Sequence, residues 1–189
     1  MNQSIDIEKI IKGCQNGDAK YQKVLYQKFA GKMLGICVRY CKDLELAKDS
    51  MQEAFVKVFN HIGNFNGESK VDTWMTRIMI NTSLNHIKKS KKYELIEAHE
   101  GASYYMNNQF DASPDSVSNL SHAELLEVLN ELPNGYRLVF NLYAIEGYNH
   151  REIGEKLGIS TGTSKSQLNR ARKQLQILVK EKLGYRQSV

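Results

Sequence analysis

The residues best suited to chemistry lie near the C-terminal end. The run Thr161-Gly162-Thr163-Ser164-Lys165-Ser166 opens a helix with small, hydroxylic side chains. Such a start lets the backbone approach a phosphate with the positive end of the helix dipole leading. Lys165, Asn169, Arg170, Arg172 and Lys173 follow, while Leu168, Ala171 and Leu175 hold the opposite face for a core. From position 165 onward seven basic residues stand against the single acid Glu181. The chemistry this pattern serves is contact with a polyanion. Just upstream, Asn149-His150-Arg151-Glu152-Ile153-Gly154-Glu155-Lys156-Leu157-Gly158-Ile159-Ser160-Thr161 reads as a short helix, a glycine turn, an apolar residue and a cap. With Ile153, Leu157, Ile159 and Leu168 packing across that turn, the two segments form a helix-turn-helix, the arrangement that puts a basic second helix into a DNA groove.

Enzymatic constellations are absent from the pattern. There is no glycine-rich phosphate loop, no nucleophile elbow and no histidine pair at metal spacing. His61, His86, His99, His122 and His150 are scattered, and none has an evident partner in the sequence. Cys37 and Cys41, four apart, have metal-ligand spacing in principle. No His or Asp completes a set, so they read as small apolar residues of a helix. Cys14 makes an odd count, which is no disulfide framework. The expectation is therefore a protein that is not an enzyme, with no cofactor, metal or small-molecule substrate.

The elements that position these residues are helices. In 189 residues, 41% hydrophobic and 25% charged, only Pro114 and Pro133 interrupt. Ile7, Ile10, Ile11 and Cys14 form a first helical stripe, broken by Asn16-Gly17-Asp18. Asp18 caps a second helix with Tyr21, Leu25, Phe29, Ile36 and Tyr40 on one side. Asp43 caps a third, whose buried stripe is Ala47, Met51, Ala54, Phe55, Val58 and Ile62. A polar loop, Gly63 to Lys70, carries the lone aromatic Phe65. A fourth helix starts near Val71, with Trp74, Ile78, Asn81 and Ile87 on a shared side, and ends in Lys88-Lys89-Ser90-Lys91-Lys92. Those lysines exceed what the negative end of a helix dipole needs. Leu125, Leu126, Leu129 and Leu132 line a later helix ended by Pro133-Asn134-Gly135, and Leu138, Phe140, Leu142 and Ile145 line the next.

Charge divides the chain into three. Residues 1–92 carry 16 Lys/Arg against 9 Asp/Glu, residues 93–120 no base and 5 acids, and residues 121–189 carry 10 against 7. Periodicity fails where the acids concentrate. The expected architecture is all-α: two small helical domains, 1–92 and 120–189, joined by a flexible acidic linker over 93–119, the C-terminal domain a helix-turn-helix. Met33 to Val38 is far too short an apolar stretch to span a bilayer. The start, Met1-Asn2-Gln3-Ser4, lacks the basic and apolar regions of a secretion signal, so a cytoplasmic protein is expected.

Four motifs then resemble one family. Asp49-Ser50-Met51-Gln52-Glu53-Ala54-Phe55 is similar to the D-x-x-Q-E-x-F signature of region 2 in bacterial sigma factors. Trp74 to Asn81 resembles the W-L-x-x-I-A-x-N that follows it. Leu132-Pro133 with Arg137 and Phe140, and Glu152-Ile153-Gly154, resemble region 4. Gly162 to Arg172 is similar to the G-T-V-K-S-R-L-x-R-A-R recognition helix. The short two-domain form is that of the extracytoplasmic-function (ECF) group. The resemblance implies a promoter-specificity subunit of RNA polymerase that helps open the DNA.

By that resemblance Asp49, Gln52 and Glu53 dock on core RNA polymerase. Met51, Phe55 and Val58 point inward, which leaves Gln52 and Glu53 outward and unpaired within the domain. The loop with Phe65, Asn66, Ser69 and Lys70, and the basic end Lys88, Lys89, Lys91 and Lys92, meet the minus-ten element of promoter DNA. Phe65 fits equally a plug beneath its loop, and Trp74 reads as core. Thr161, Thr163, Ser164, Lys165, Ser166, Asn169, Arg170 and Lys173 meet the minus-thirty-five element. An anti-sigma factor, in this group often membrane-anchored, is implied as a further partner. The chain departs from the family at Ser50, Met79, Ser164 and Gln167. Gln167 in place of arginine removes a charge from the expected DNA face, and Ser164 in place of valine adds a hydroxyl there. The rival reading is a two-domain transcriptional regulator that binds DNA without polymerase; it leaves the region 2 motifs unexplained.

Overall fold

The computed structural model describes residues 6–89 and 122–187. The expected linker over 93–119 lies outside these residues, as do Lys91 and Lys92. The chain divides into two compact units, Met1–Lys92 and Tyr93–Val189. Among the described residues both are built of helices, and no helix is long and apolar enough to cross a membrane.

The first unit contains α1 (Ile7–Gln15), α2 (Ala19–Cys41), α3 (Leu44–His61) and α4 (Val71–Lys89), and the first three start where a short polar side chain satisfies a free N–H group. The Asp6 carboxylate accepts from Glu8 N, that of Asp18 from Lys20 N, and that of Asp43 from Leu46 N. The last two are the caps expected from sequence. Helices α2, α3 and α4 pack mutually, with α1 against α2. All six residues of the expected α3 stripe are buried. On α4 the buried face is different from the expected one. Val71, Met75, Met79, Ile80, Leu84 and Ile87 are buried, whereas Trp74 and Ile78 are half-buried and Asn81 is exposed. A helix lying against two others buries a wider arc than a single stripe, and packing rather than aromaticity selects that arc. Cys37 and Cys41 belong to this core. Burial pushes the Cys37 thiol up to about 11, which keeps it uncharged at neutral pH. The hydroxyl of Ser50, where the family has leucine, is fully buried 3.5 Å from Cys41 Sγ.

In the second unit α5 (His122–Glu131) leads through Leu132-Pro133 into α6 (Asn134–Phe140). The expected continuation of α6 to Ile145 is a π-helical turn, Asn141–Ile145, in which Glu146 N donates to Asn141 O. The i→i+5 spacing shifts the helix face: Leu138, Val139 and Leu142 are buried, but Ile145 is exposed. Arg137, from the region 4 motif, is fully buried and donates to the side chains of Asn130 and Asn134. Helix α7 (His150–Leu157) begins with a capping box. Asn149 Oδ1 accepts from Arg151 N and Glu152 N, and the Glu152 carboxylate accepts from Asn149 N. Helix α8 (Thr161–Gln187) follows, tied to α5 by Lys182, which pairs with Glu127 and Glu131.

Candidate functional site

Two glycines set the angle of the helix-turn-helix. Gly158 ends α7 at φ +73°, in the left-handed region that glycine enters at little cost, and its N–H donates to Gly154 O at 2.8 Å. The Ile159 carbonyl lies so close to Gly154 that a Cβ there would sit 2.7 Å from that oxygen. Ser160 then caps α8, its Oγ accepting from Thr163 N at 3.0 Å. The outcome is a long helix that turns Thr161, Lys165, Asn169 and Lys173 to solvent, successive residues four apart along one stripe. Thr163, Ser166 and Arg170 are half-buried at its margins. The Thr163 and Ser166 hydroxyls are engaged with Ser160 Oγ and with Thr163 O.

Ser164 and Gln167 do not belong to this surface. Ser164 is 0% exposed and shares a 2.9 Å hydrogen bond with His150 Nδ1, so its hydroxyl links the helices instead of facing DNA. Gln167 is equally buried, with its amide beside Gly135, so the missing arginine takes no charge from the exposed stripe. Both point inward because they lie on the face of α8 that meets α6 and α7, away from the line through Lys165 and Asn169. His150 has partners that the sequence does not reveal. Tyr143 stacks on its ring at 4.7 Å, and the Arg172 guanidinium lies 5.7 Å from the Tyr143 ring centre. Burial, Lys165 and Arg172 together hold the His150 pKa below the usual imidazole value.

The exposed stripe of α3 runs through Glu45, Asp49, Gln52, Val56 and Asn60. Asp49 and Gln52 are solvent-exposed, as expected. Glu53 is not unpaired: one carboxylate oxygen accepts from Lys57 Nζ and the other from His86 Nε2, each at 2.6 Å. The Lys57 bond, then the His86 bond, hold its pKa at about 2. An ionised carboxylate only accepts hydrogen bonds, so Nε2 is the ring nitrogen that bears the hydrogen. Sequence reasoning also missed Val56, 58% exposed between Gln52 and Asn60 on the polar stripe. The signal available was an apolar residue four after Gln52, on the face opposite the core.

The loop before α4 is anchored from two sides. The Gln15 amide donates to Ile62 O and Phe65 O at 3.2 and 3.1 Å. The Phe65 and Trp74 rings lie 5.4 Å apart, both half-buried, so Phe65 is neither a full plug nor free in solvent. Asn66 and Lys70 are exposed and Ser69 half-buried. Asp72 pairs with Lys32 of α2 at 2.7 Å, which holds the start of α4 and lowers the Asp72 pKa. Lys88 and Lys89 are exposed at the other end of that helix. Among the described residues no group of His, Cys, Asp or Glu forms a metal-binding set.

Comparison with known proteins places the chain in one family. Residues 25–93 match Sigma-70 region 2, and residues 122–175 match Sigma-70, region 4. The ECF RNA polymerase sigma factor SigW of Bacillus subtilis is 30% identical over 176 residues, 89% of this chain and 94% of the relative. The RNA polymerase sigma-H factor of Pseudomonas aeruginosa is 29% identical over 185 residues, 92% and 96% of the two chains. The solved structure of the sigma factor RpoE from Bartonella quintana shares the fold, with a TM-score of 0.50 and 20% identity over 84% of this chain and 96% of that one. The region 2 match accounts for the N-terminal half that a stand-alone regulator leaves unexplained. The chain belongs to the ECF sigma factors, the subunits that direct RNA polymerase to promoters.

Proposed function

We propose that the two units divide promoter recognition between them. In this reading residues 1–92 bind core polymerase and the minus-ten element, residues 93–119 form an acidic connector, and residues 120–189 read the minus-thirty-five element. The α3 stripe, with Asp49, Gln52 and Glu53 around Val56, suits a protein partner, because an apolar centre ringed by polar groups is interface chemistry. The α8 stripe, with Lys165 and Lys173 around Asn169, suits DNA: lysines position on phosphate, and an amide can read a base edge. This contrast between the two exposed faces carries the proposal. Thr161, Thr163, Ser166 and Arg170 flank the DNA stripe, and Ser164 supports it from within.

The loop with Phe65, Asn66, Ser69 and Lys70 serves the melted minus-ten strand, with Lys88 and Lys89, and Lys91 and Lys92 beyond them, on phosphates. A flipped base loses its stacking, and polar groups on a pre-anchored loop recover part of that free energy without ATP. The protein works in the cytoplasm and catalyses no reaction. The Bartonella RpoE was solved with the anti-sigma factor NepR; by likeness of fold an anti-sigma factor is a further partner here.

The test compares this chain alone and with core polymerase on promoter DNA, by footprinting and by permanganate reactivity of unpaired thymines. Protection and thymine exposure that require polymerase are expected. Asn66→Ala and Ser69→Ala should keep the closed complex and slow opening, while Asn169→Ala should weaken the closed complex. A footprint by the chain alone, with no thymine exposure in the presence of polymerase, refutes the assignment.

A further inference from the structure

The proposed docking face contains a carboxylate whose position is set from inside its own domain. Glu53 is held on one oxygen by Lys57, one turn along α3, and on the other by His86, which comes from α4. Lys57 Nζ donates in addition to Thr82 Oγ1 at 3.2 Å, and Thr82 lies one turn before His86 on α4. Two helices therefore converge on one side chain. An ionised carboxylate offers about four lone-pair sites. Two are taken, and with the side chain 40% exposed the others are open to a donor from outside.

We infer that His86 is a positioning residue for polymerase docking: by donating to Glu53 across the α3–α4 contact, it holds the carboxylate in the rotamer that meets the polymerase. The inference rests on the reading above that Glu53 lies in that interface. A long acidic side chain normally loses its rotamer freedom when it binds, and one already ordered has less to lose. A purely structural pair of this exposure contributes little to stability, so a structural role for His86 would leave no trace specific to Glu53.

The affinity of the full chain for core polymerase is measured by fluorescence anisotropy for wild type, His86→Ala, His86→Gln, Glu53→Ala and the Glu53→Ala/His86→Ala double variant, with thermal unfolding alongside. His86→Ala should weaken binding by about threefold to tenfold. His86→Gln, which keeps an N–H at the reach of Nε2, should recover most of that loss. In the Glu53→Ala background, His86→Ala should add less than about twofold. Unchanged affinity on His86→Ala, or an equal loss with and without Glu53, overturns the inference while leaving Glu53 at the interface. If Glu53→Ala itself binds like wild type, the interface assignment falls, and the inference with it. Should His86→Ala fail to fold, His86→Leu, which keeps the volume without a donor, enters the same cycle with the same outcomes.

Discussion

Substituting Val56 separates fold from function more sharply than any change to its polar neighbours. The residue is 58% exposed in the free protein, between Gln52 and Asn60 on the α3 stripe. Val56→Ala removes two methyl groups, each contributing about 0.8 kcal/mol when fully buried. With 58% of the residue still to be covered on docking, the loss comes to about 0.9 kcal/mol, or between fourfold and fivefold in Kd for core polymerase. The same change acts on the free protein in the opposite direction. Alanine is the better helix former by about half a kcal/mol, and an exposed valine gives up little packing. Unfolding temperature should therefore stay level or rise as affinity falls. Val56→Asp places an unpartnered carboxylate under the partner and should weaken binding by more than about tenfold, at under about 0.5 kcal/mol of stability. Anisotropy titration against core polymerase, with a thermal scan of each variant, supplies both numbers. Wild-type affinity for both variants would remove Val56 from the interface. A large drop in the unfolding temperature of Val56→Asp would show that the valine belongs to the core.

Gly154→Ala should destabilise the C-terminal unit by about 2 kcal/mol or more, because the new Cβ would sit 2.7 Å from the Ile159 backbone oxygen; a thermal scan with unchanged stability would contradict the close approach. Lys165→Ala should weaken binding to all promoter sequences alike and lower the salt slope of holoenzyme binding by about one unit, whereas Asn169→Ala should discriminate less at one base position; a sequence-dependent loss for Lys165 would assign it to a base edge. The Glu53 carboxyl is held at about 2 against an ordinary 4.5, so its pairing contributes a small, solvent-screened stability that is fully present above pH about 4.5 and is lost as pH falls toward 2. The stability advantage of wild type over Glu53→Gln should accordingly shrink across that window in acid-unfolding curves; a constant difference would mean that the pairing does not favour the charged carboxylate.

Much of this protein is legible without coordinates because helices declare themselves locally. Asp18 and Asp43 announce helix starts through the chemistry of a short acceptor beside free N–H groups. The α3 stripe follows from a 3.6-residue period, and Gly158-Ile159-Ser160 spells a turn in three residues. The α8 cations and the exposed Asp49 and Gln52 follow from the same periodicity, since the face opposite a clear apolar stripe has to be solvated. What tertiary structure alone decided are the relations between helices. Whether Ser164 and Gln167 face DNA or the core depends on where α6 and α7 meet α8, and a serine is small enough for either. Trp74 yields its expected core place because α2 and α3 bury a neighbouring arc of α4. Glu53 meets His86 across a separation of 33 positions, a pairing with no periodic trace in the sequence. Period and capping are properties of adjacent residues; contact across two helices depends on how both are turned, and only the packed core sets that rotation.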